Sequence, residues 1–125
     1  MQRILVVDDE IEVLKIIEEF LTQSGFKVEV AQDAETALEI FENKVPDLMI
    51  LDMRMPGMGG EGLLREFALK KIDIPIIILT GCARIDGCPE YIKKANLKIL
   101  VKPIDLSILL RMVNEGLEGG GNEQT

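Results

Sequence analysis

Short, almost continuous apolar runs recur along the chain: Ile4-Leu5-Val6-Val7, Val28 to Ala31, Leu48-Met49-Ile50-Leu51, Ile76-Ile77-Ile78-Leu79 and Ile99-Leu100-Val101. Runs this short and this apolar predict strands buried on both faces, as in a parallel sheet covered by helices. The second run differs. Lys27-Val28-Glu29-Val30 alternates, which predicts an edge strand with one wet face. Between the runs the apolar period lengthens to that of a helix. A first helix is predicted from Ile11 to Ser24, with Leu14, Ile17 and Leu21 on one face and Gly25 ending it. A second starts at the N-cap Asp33 and carries Ala34, Ala37, Leu38 and Phe41. A third follows Gly59-Gly60 with Leu63, Leu64 and Phe67. A short fourth is predicted near Pro89 to Ala95, with the proline suited to its first turn. A fifth opens at Asp105 and carries Leu106, Leu109, Leu110 and Val113. Strand and helix alternating in this way predict an α/β fold, a three-layer doubly wound sandwich.

Composition narrows the class. A chain of 125 residues, 47% apolar and 29% charged, fits one globular domain. The tail from Glu118, Glu-Gly-Gly-Gly-Asn-Glu-Gln-Thr, carries no apolar side chain. The expectation is therefore a folded domain over 1–117 and a disordered tail or linker over 118–125. No apolar run is long enough for a membrane span, and the N-terminus meets Asp8-Asp9 too early for a signal peptide, so a cytoplasmic location is expected. The net charge of −8 argues against direct nucleic acid binding. With no histidine there is no imidazole base or ligand. Cys82 and Cys88 read as free thiols, since a chain of this size needs no disulfide.

The chemistry lies just beyond the apolar runs. Val7 is followed by Asp8-Asp9, Leu51 by Asp52, Leu79 by Thr80 and Val101 by Lys102. In a parallel sheet these ends share one edge, where open α/β sheets bind ligands. Three carboxylates gathered there repel: two unit charges ~4 Å apart cost about 4 kcal/mol at an effective dielectric of 20. Protons or a cation must relieve this, and hard oxygen ligands suit Mg²⁺, with Mn²⁺ as a substitute. Lys102 supplies a point charge for phosphate oxygens, Thr80 a neutral donor, and an Asp can itself become an aspartyl phosphate. Phosphoryl transfer needs mainly positioning and charge neutralisation, which this set provides.

Four motifs carry a resemblance: Val6-Val7-Asp8-Asp9-Glu10, Asp52 through Gly60, Leu79-Thr80-Gly81 and Val101-Lys102-Pro103. In this order and at these separations, the chain from Met1 to about Leu117 resembles the receiver domains of bacterial two-component response regulators, including the chemotaxis regulators. The resemblance implies a flavodoxin-like, five-stranded parallel sheet of order 2-1-3-4-5 with five helices. It implies a phosphoryl group accepted on Asp52 from a sensor histidine kinase or histidine phosphotransfer protein in a Mg²⁺-dependent reaction. Asp9 would be the direct metal ligand, Asp8 a carboxylate reaching the metal through water, and the Arg54 backbone carbonyl a further ligand beside Asp52. Lys102 would pair with the phosphate and Thr80 would be the switch hydroxyl. Pro103 occupies the proline position where a cis peptide is common. Its output would be a downstream effector domain or protein, and the molecule would be a monomer or a weak phosphorylation-dependent dimer.

Some positions depart from the family pattern. Ile99 stands where an aromatic switch residue is common, and it reads as a passive core residue. The signal is then expected to leave through Gly81 to Cys88 and the helix ending at Ala95. Arg54 and Cys82 fill the two positions that tune dephosphorylation; neither is an acid or an amide that would position water, so self-hydrolysis should be slow. Two other functions stay open. One is a haloacid-dehalogenase-like phosphatase, whose nucleophile would instead be a first-strand Asp in Asp-x-Asp spacing, with a cap domain. The other is a receiver-like interaction module independent of phosphorylation, which would have lost an acidic residue or the lysine. Taken singly, each residue has a plainer reading: Asp8-Asp9 as a helix cap, Thr80 as a turn hydroxyl, Lys102 as a surface charge.

Overall fold

The computed structural model describes residues 2–53, 59–80 and 97–121. Five strands, β1 (Arg3–Val7), β2 (Lys27–Ala31), β3 (Leu48–Asp52), β4 (Ile76–Thr80) and β5 (Leu97–Val101), form one parallel sheet in the order β2-β1-β3-β4-β5. Four helices are described: α1 (Ile11–Gln23), α2 (Ala34–Asn43), α3 (Gly59–Leu69) and α4 (Leu106–Gly121). This is the flavodoxin-like order expected above. The helix expected over Pro89 to Ala95, with the rest of 81–96, lies outside the described residues.

The side-chain period of two divides each central strand between two cores. Leu5, Val7, Met49, Leu51 and Ile78 face α2 and α3, where Phe41 and Phe67 meet with ring centroids 4.2 Å apart and tilted by 58°. Ile4, Val6, Leu48, Ile50, Ile77 and Leu79 face α1 and α4, packing on Leu14, Ile17, Leu21, Leu109 and Val113. Both sets are buried, which is why the runs show no polar alternation. Burying each such aliphatic side chain contributes ~1.5–3 kcal/mol.

The edges are where the pattern is less plain. β2 is an edge strand, as its alternation predicts, with Lys27 exposed and Ala31 buried. β5 is the other edge, although its apolar run resembles a central strand. Ile99 is 37% exposed and Val101 38%, so the reading of Ile99 as core is corrected. Only Leu100 turns toward α4 and is buried; Ile99 points from the opposite face of a strand that pairs on one side alone. At the foot of the sheet, the Arg3 guanidinium pairs with Glu29 and the Arg3 backbone N–H donates to Asp47 Oδ2 at 2.8 Å, tying β1 to β2 and to the start of β3.

The helix ends follow their capping chemistry. Gly25, just past α1, has φ +102°, a left-handed conformation suited to glycine. Asp105 Oδ1 accepts from the Ser107 and Ile108 N–H groups at the start of α4. That helix runs on to Gly121, four residues past Leu117; Leu117 is its last side chain packed on the core, and Glu118 is exposed. Asp33 caps α2, accepting from the Thr36 N–H at 2.7 Å. That bond holds the Asp33 carboxyl below its ordinary value of 3.8. A lowered acid stabilises the fold above its unfolded value and loses that contribution as acid is added. Asp33→Ala should therefore lower the melting temperature at pH 7, with the gap from the parent chain closing below pH ~4. Melts recorded across pH check this, and a gap independent of pH would refute it.

Candidate functional site

Parallel register brings the polar strand ends together. Val7 pairs with Leu51, Asp52 with Leu79 and Thr80 with Val101. Asp8, Asp52, Thr80 and Lys102 therefore lie along one edge, at the carboxyl ends of β1, β3, β4 and β5. Backbone bonds extend the ladders into the site: Asp8 N–H donates to Ala31 O at 3.1 Å, and Lys102 N–H donates to Thr80 O at 2.7 Å. Asp8 and Lys102 are thus fixed at their roots by the same bonds that build the sheet.

Lys102 bends back over the edge. Its Nζ lies 3.3 Å from Asp52 Oδ2, 3.5 Å from Glu10 Oε1 and 3.9 Å from Asp8 Oδ2. Asp8 and Asp52 are buried, at 0% and 4% exposure. Glu10 and Asp9 are exposed. Asp8 Oδ1 accepts the Glu10 N–H at 2.9 Å, while Asp8 Oδ2, also buried, accepts no hydrogen bond among the described residues. Burial, the strongest influence, pushes Asp8 up to about 6; the Glu10 N–H and Lys102 oppose this, and the Asp52 charge adds to it. Burial would lower the Lys102 ammonium, but Asp52, Asp8 and Glu10 outweigh it and raise its pKa.

A divalent cation fits this donor set. One carboxylate oxygen each from Asp8, Glu10 and Asp52 lie within 4.8 Å of one another, and the buried Asp8 Oδ2 lacks a donor. Hard carboxylate oxygens around one point suit Mg²⁺. Of the residues expected from sequence, Asp8, Asp52 and Lys102 converge, and Thr80 ends the adjoining strand, half-buried. Asp9 is exposed and is not one of the three grouped carboxylates. Arg54 and Cys82 lie outside the described residues. Ile99 is on the outer strand β5, and Lys102–Pro103 is a cis peptide. Glu10 was not among the expected site residues; the signal was the unbroken acidic run Asp8-Asp9-Glu10.

The model of the response regulator receiver domain matches residues 4–114. The chain belongs to that family. This receiver domain is 31% identical to the regulatory protein AtoC of Escherichia coli strain K12 over 118 residues, covering 94% of the chain and 26% of that protein. It is 47% identical to the probable transcriptional regulator ycf27 of Cyanophora paradoxa over 101 residues, covering 74% of the chain and 42% of the relative. Among solved structures it resembles the chemotaxis protein CheY4 of Vibrio cholerae, with TM-score 0.85 and 28% identity over 94% of this chain and 99% of that one. The receiver domain thus spans between about a quarter and two fifths of the length of these two curated relatives. It is a domain of a two-component signalling regulator rather than a classical enzyme. Among the described residues, no helix is long and apolar enough to cross a membrane.

Proposed function

We propose that this receiver domain takes a phosphoryl group onto Asp52 from a phosphohistidine of a sensor kinase or phosphotransfer protein and passes the resulting change to an effector. The observation that carries the reading is the convergence of Lys102 on a buried Asp52 beside the buried Asp8. An Asp52 carboxylate oxygen attacks phosphorus, the P–N bond to the donor imidazole breaks, and the imidazole leaves with the bonding electron pair and takes up a proton. Lys102 is already within reach of the oxygens that a phosphoryl group on Asp52 would carry. Mg²⁺, held by Asp8 and Asp52 with Asp9 at the rim, would neutralise charge on the transferring group. The resemblance adds the Arg54 carbonyl to that set. Thr80 ends β4, the strand that pairs with Asp52, and its hydroxyl would follow a new phosphoryl oxygen and bias one of two conformations.

Beside the pocket, an apolar cleft lined by Val13, Ile16, Ile17, Ile104 and Leu106 begins at Glu10 and Lys102. It offers a helix bearing the donor histidine a surface adjoining Asp52. Membership of the family supports a cytoplasmic setting and an effector domain or protein as output. The identities of Arg54 and Cys82, neither an acid nor an amide that would position water, support slow self-hydrolysis as the means of resetting. Acetyl phosphate with Mg²⁺ should add one phosphoryl group by intact-mass measurement, and a chelator should prevent it. No addition, or an addition indifferent to the chelator, would overturn the reading.

A further inference from the structure

Three acids and one base meet at the pocket, and the three acids are not alike. Asp8 and Asp52 are buried, whereas the Glu10 side chain is 62% exposed. Yet Glu10 Oε1 reaches Lys102 Nζ at 3.5 Å, nearly as close as Asp52 at 3.3 Å and closer than Asp8 at 3.9 Å. The same glutamate contributes an oxygen to the group of three that lie within 4.8 Å. A second observation concerns what the pocket lacks: Asp8 Oδ2, fully buried and 3.9 Å from Lys102 Nζ, accepts no hydrogen bond among the described residues, so a cation there would satisfy it. Glu10 therefore stands at the mouth of the pocket, with one oxygen within 4.8 Å of an oxygen of each buried acid and 3.5 Å from the lysine.

We propose that Glu10 is a positioning residue that acts in opposite senses on the two ligands of the pocket, strengthening the hold on a divalent cation and weakening the hold on a phosphoryl anion. The inference rests on the pocket being the phosphoryl site. Its charge adds to the attraction felt by a cation entering between Asp8 and Asp52. Toward an anion on Asp52 it acts twice: it repels the incoming oxygens, and it competes with them for Lys102. Lys102 must exchange a carboxylate partner for a phosphoryl oxygen, and Glu10 is the partner able to swing away, because its side chain is exposed. Its place in the loop is fixed from the backbone, since the Glu10 N–H donates to Asp8 Oδ1.

Opposite signs make the test specific, since a merely structural role would weaken both ligands. Mg²⁺ affinity of the full chain is measured by calorimetry, and beryllofluoride affinity at saturating Mg²⁺ by the same method. For Glu10→Gln, Mg²⁺ should bind about three- to tenfold more weakly and beryllofluoride about threefold more tightly, as expected for one exposed charge at this range. Glu10→Asp keeps the charge but withdraws it by one methylene from Lys102. It should keep Mg²⁺ affinity within about twofold while retaining part of the gain for beryllofluoride. Affinities that move in the same direction, or neither moving in Glu10→Gln, would overturn the role of Glu10 while leaving Asp52 in place. A parent chain that binds neither ligand would remove the phosphoryl site itself, and the inference with it.

Discussion

Asp52→Asn should abolish phosphoryl uptake outright while leaving the fold intact. The amide has the same shape as the carboxylate but no oxygen basic enough to attack phosphorus, so the loss is of the step itself rather than of affinity. Two buried acids compete for this role on geometry alone. Asp8 is fully buried and Asp52 nearly so. Asp52 is favoured for two reasons. It ends β3, the middle strand, so Asp8 lies on one side and the end of β4 on the other. Lys102 Nζ is closer to it than to either other acid. Acetyl phosphate, Mg²⁺ and intact-mass measurement decide the matter, with circular dichroism as the check on folding. Labelling of the Asn variant equal to that of the parent would move the nucleophile elsewhere, and Asp8 would be the first place to look.

What the sequence discloses, and what it withholds, divides along physical lines. β1, β3 and β4 are legible because burial on both faces leaves runs such as Leu48-Met49-Ile50-Leu51 with no polar member. Asp33 is legible as a cap because side-chain bonding to a helix start is local. The convergence of Asp8, Asp52 and Lys102 is legible because parallel strands must place their ends on one edge. Other features depend on what surrounds an element, and a run of residues does not carry that information. Ile99 reads as core because Ile99-Leu100-Val101 is as apolar as a central strand. Only the position of β5 at the edge of the sheet, with α4 covering the Leu100 side, exposes it. Asp9 and Glu10 present the same difficulty at finer scale. Beyond Val7 the strand period no longer applies, so which acid of Asp8-Asp9-Glu10 turns inward is set by the backbone leading into α1. The bond from the Glu10 N–H to Asp8 Oδ1 is part of that local turn, and it draws Glu10 toward Lys102 while Asp9 stays at the exposed rim.

The same buried acids imply that the pocket is maintained at the expense of stability. Asp8 is fully buried with one oxygen lacking a donor, beside a second buried carboxylate, and Lys102 at 3.9 Å is shared with two other acids. Burial raises its pKa to about 6, the mark of a site that disfavours its own charge. Asp8→Asn removes that charge without changing the shape, and its amide can donate toward Asp52. In chelator the variant should be more stable than the parent by ~1–3 kcal/mol, the usual range for relieving an unsatisfied buried group. For a domain of this size that is roughly 4 °C in melting temperature per kcal/mol. In Mg²⁺ the order should change. A cation at about 100 times its dissociation constant stabilises the parent by ~2.7 kcal/mol, and the variant, having lost a charge at the centre of the donor set, should gain much less. Melting curves of both proteins in chelator and in Mg²⁺ give the four values needed. A variant less stable than the parent in chelator would show that Asp8 is a structural acid rather than a strained one. An undiminished response to Mg²⁺ would show that its carboxylate does not serve the cation.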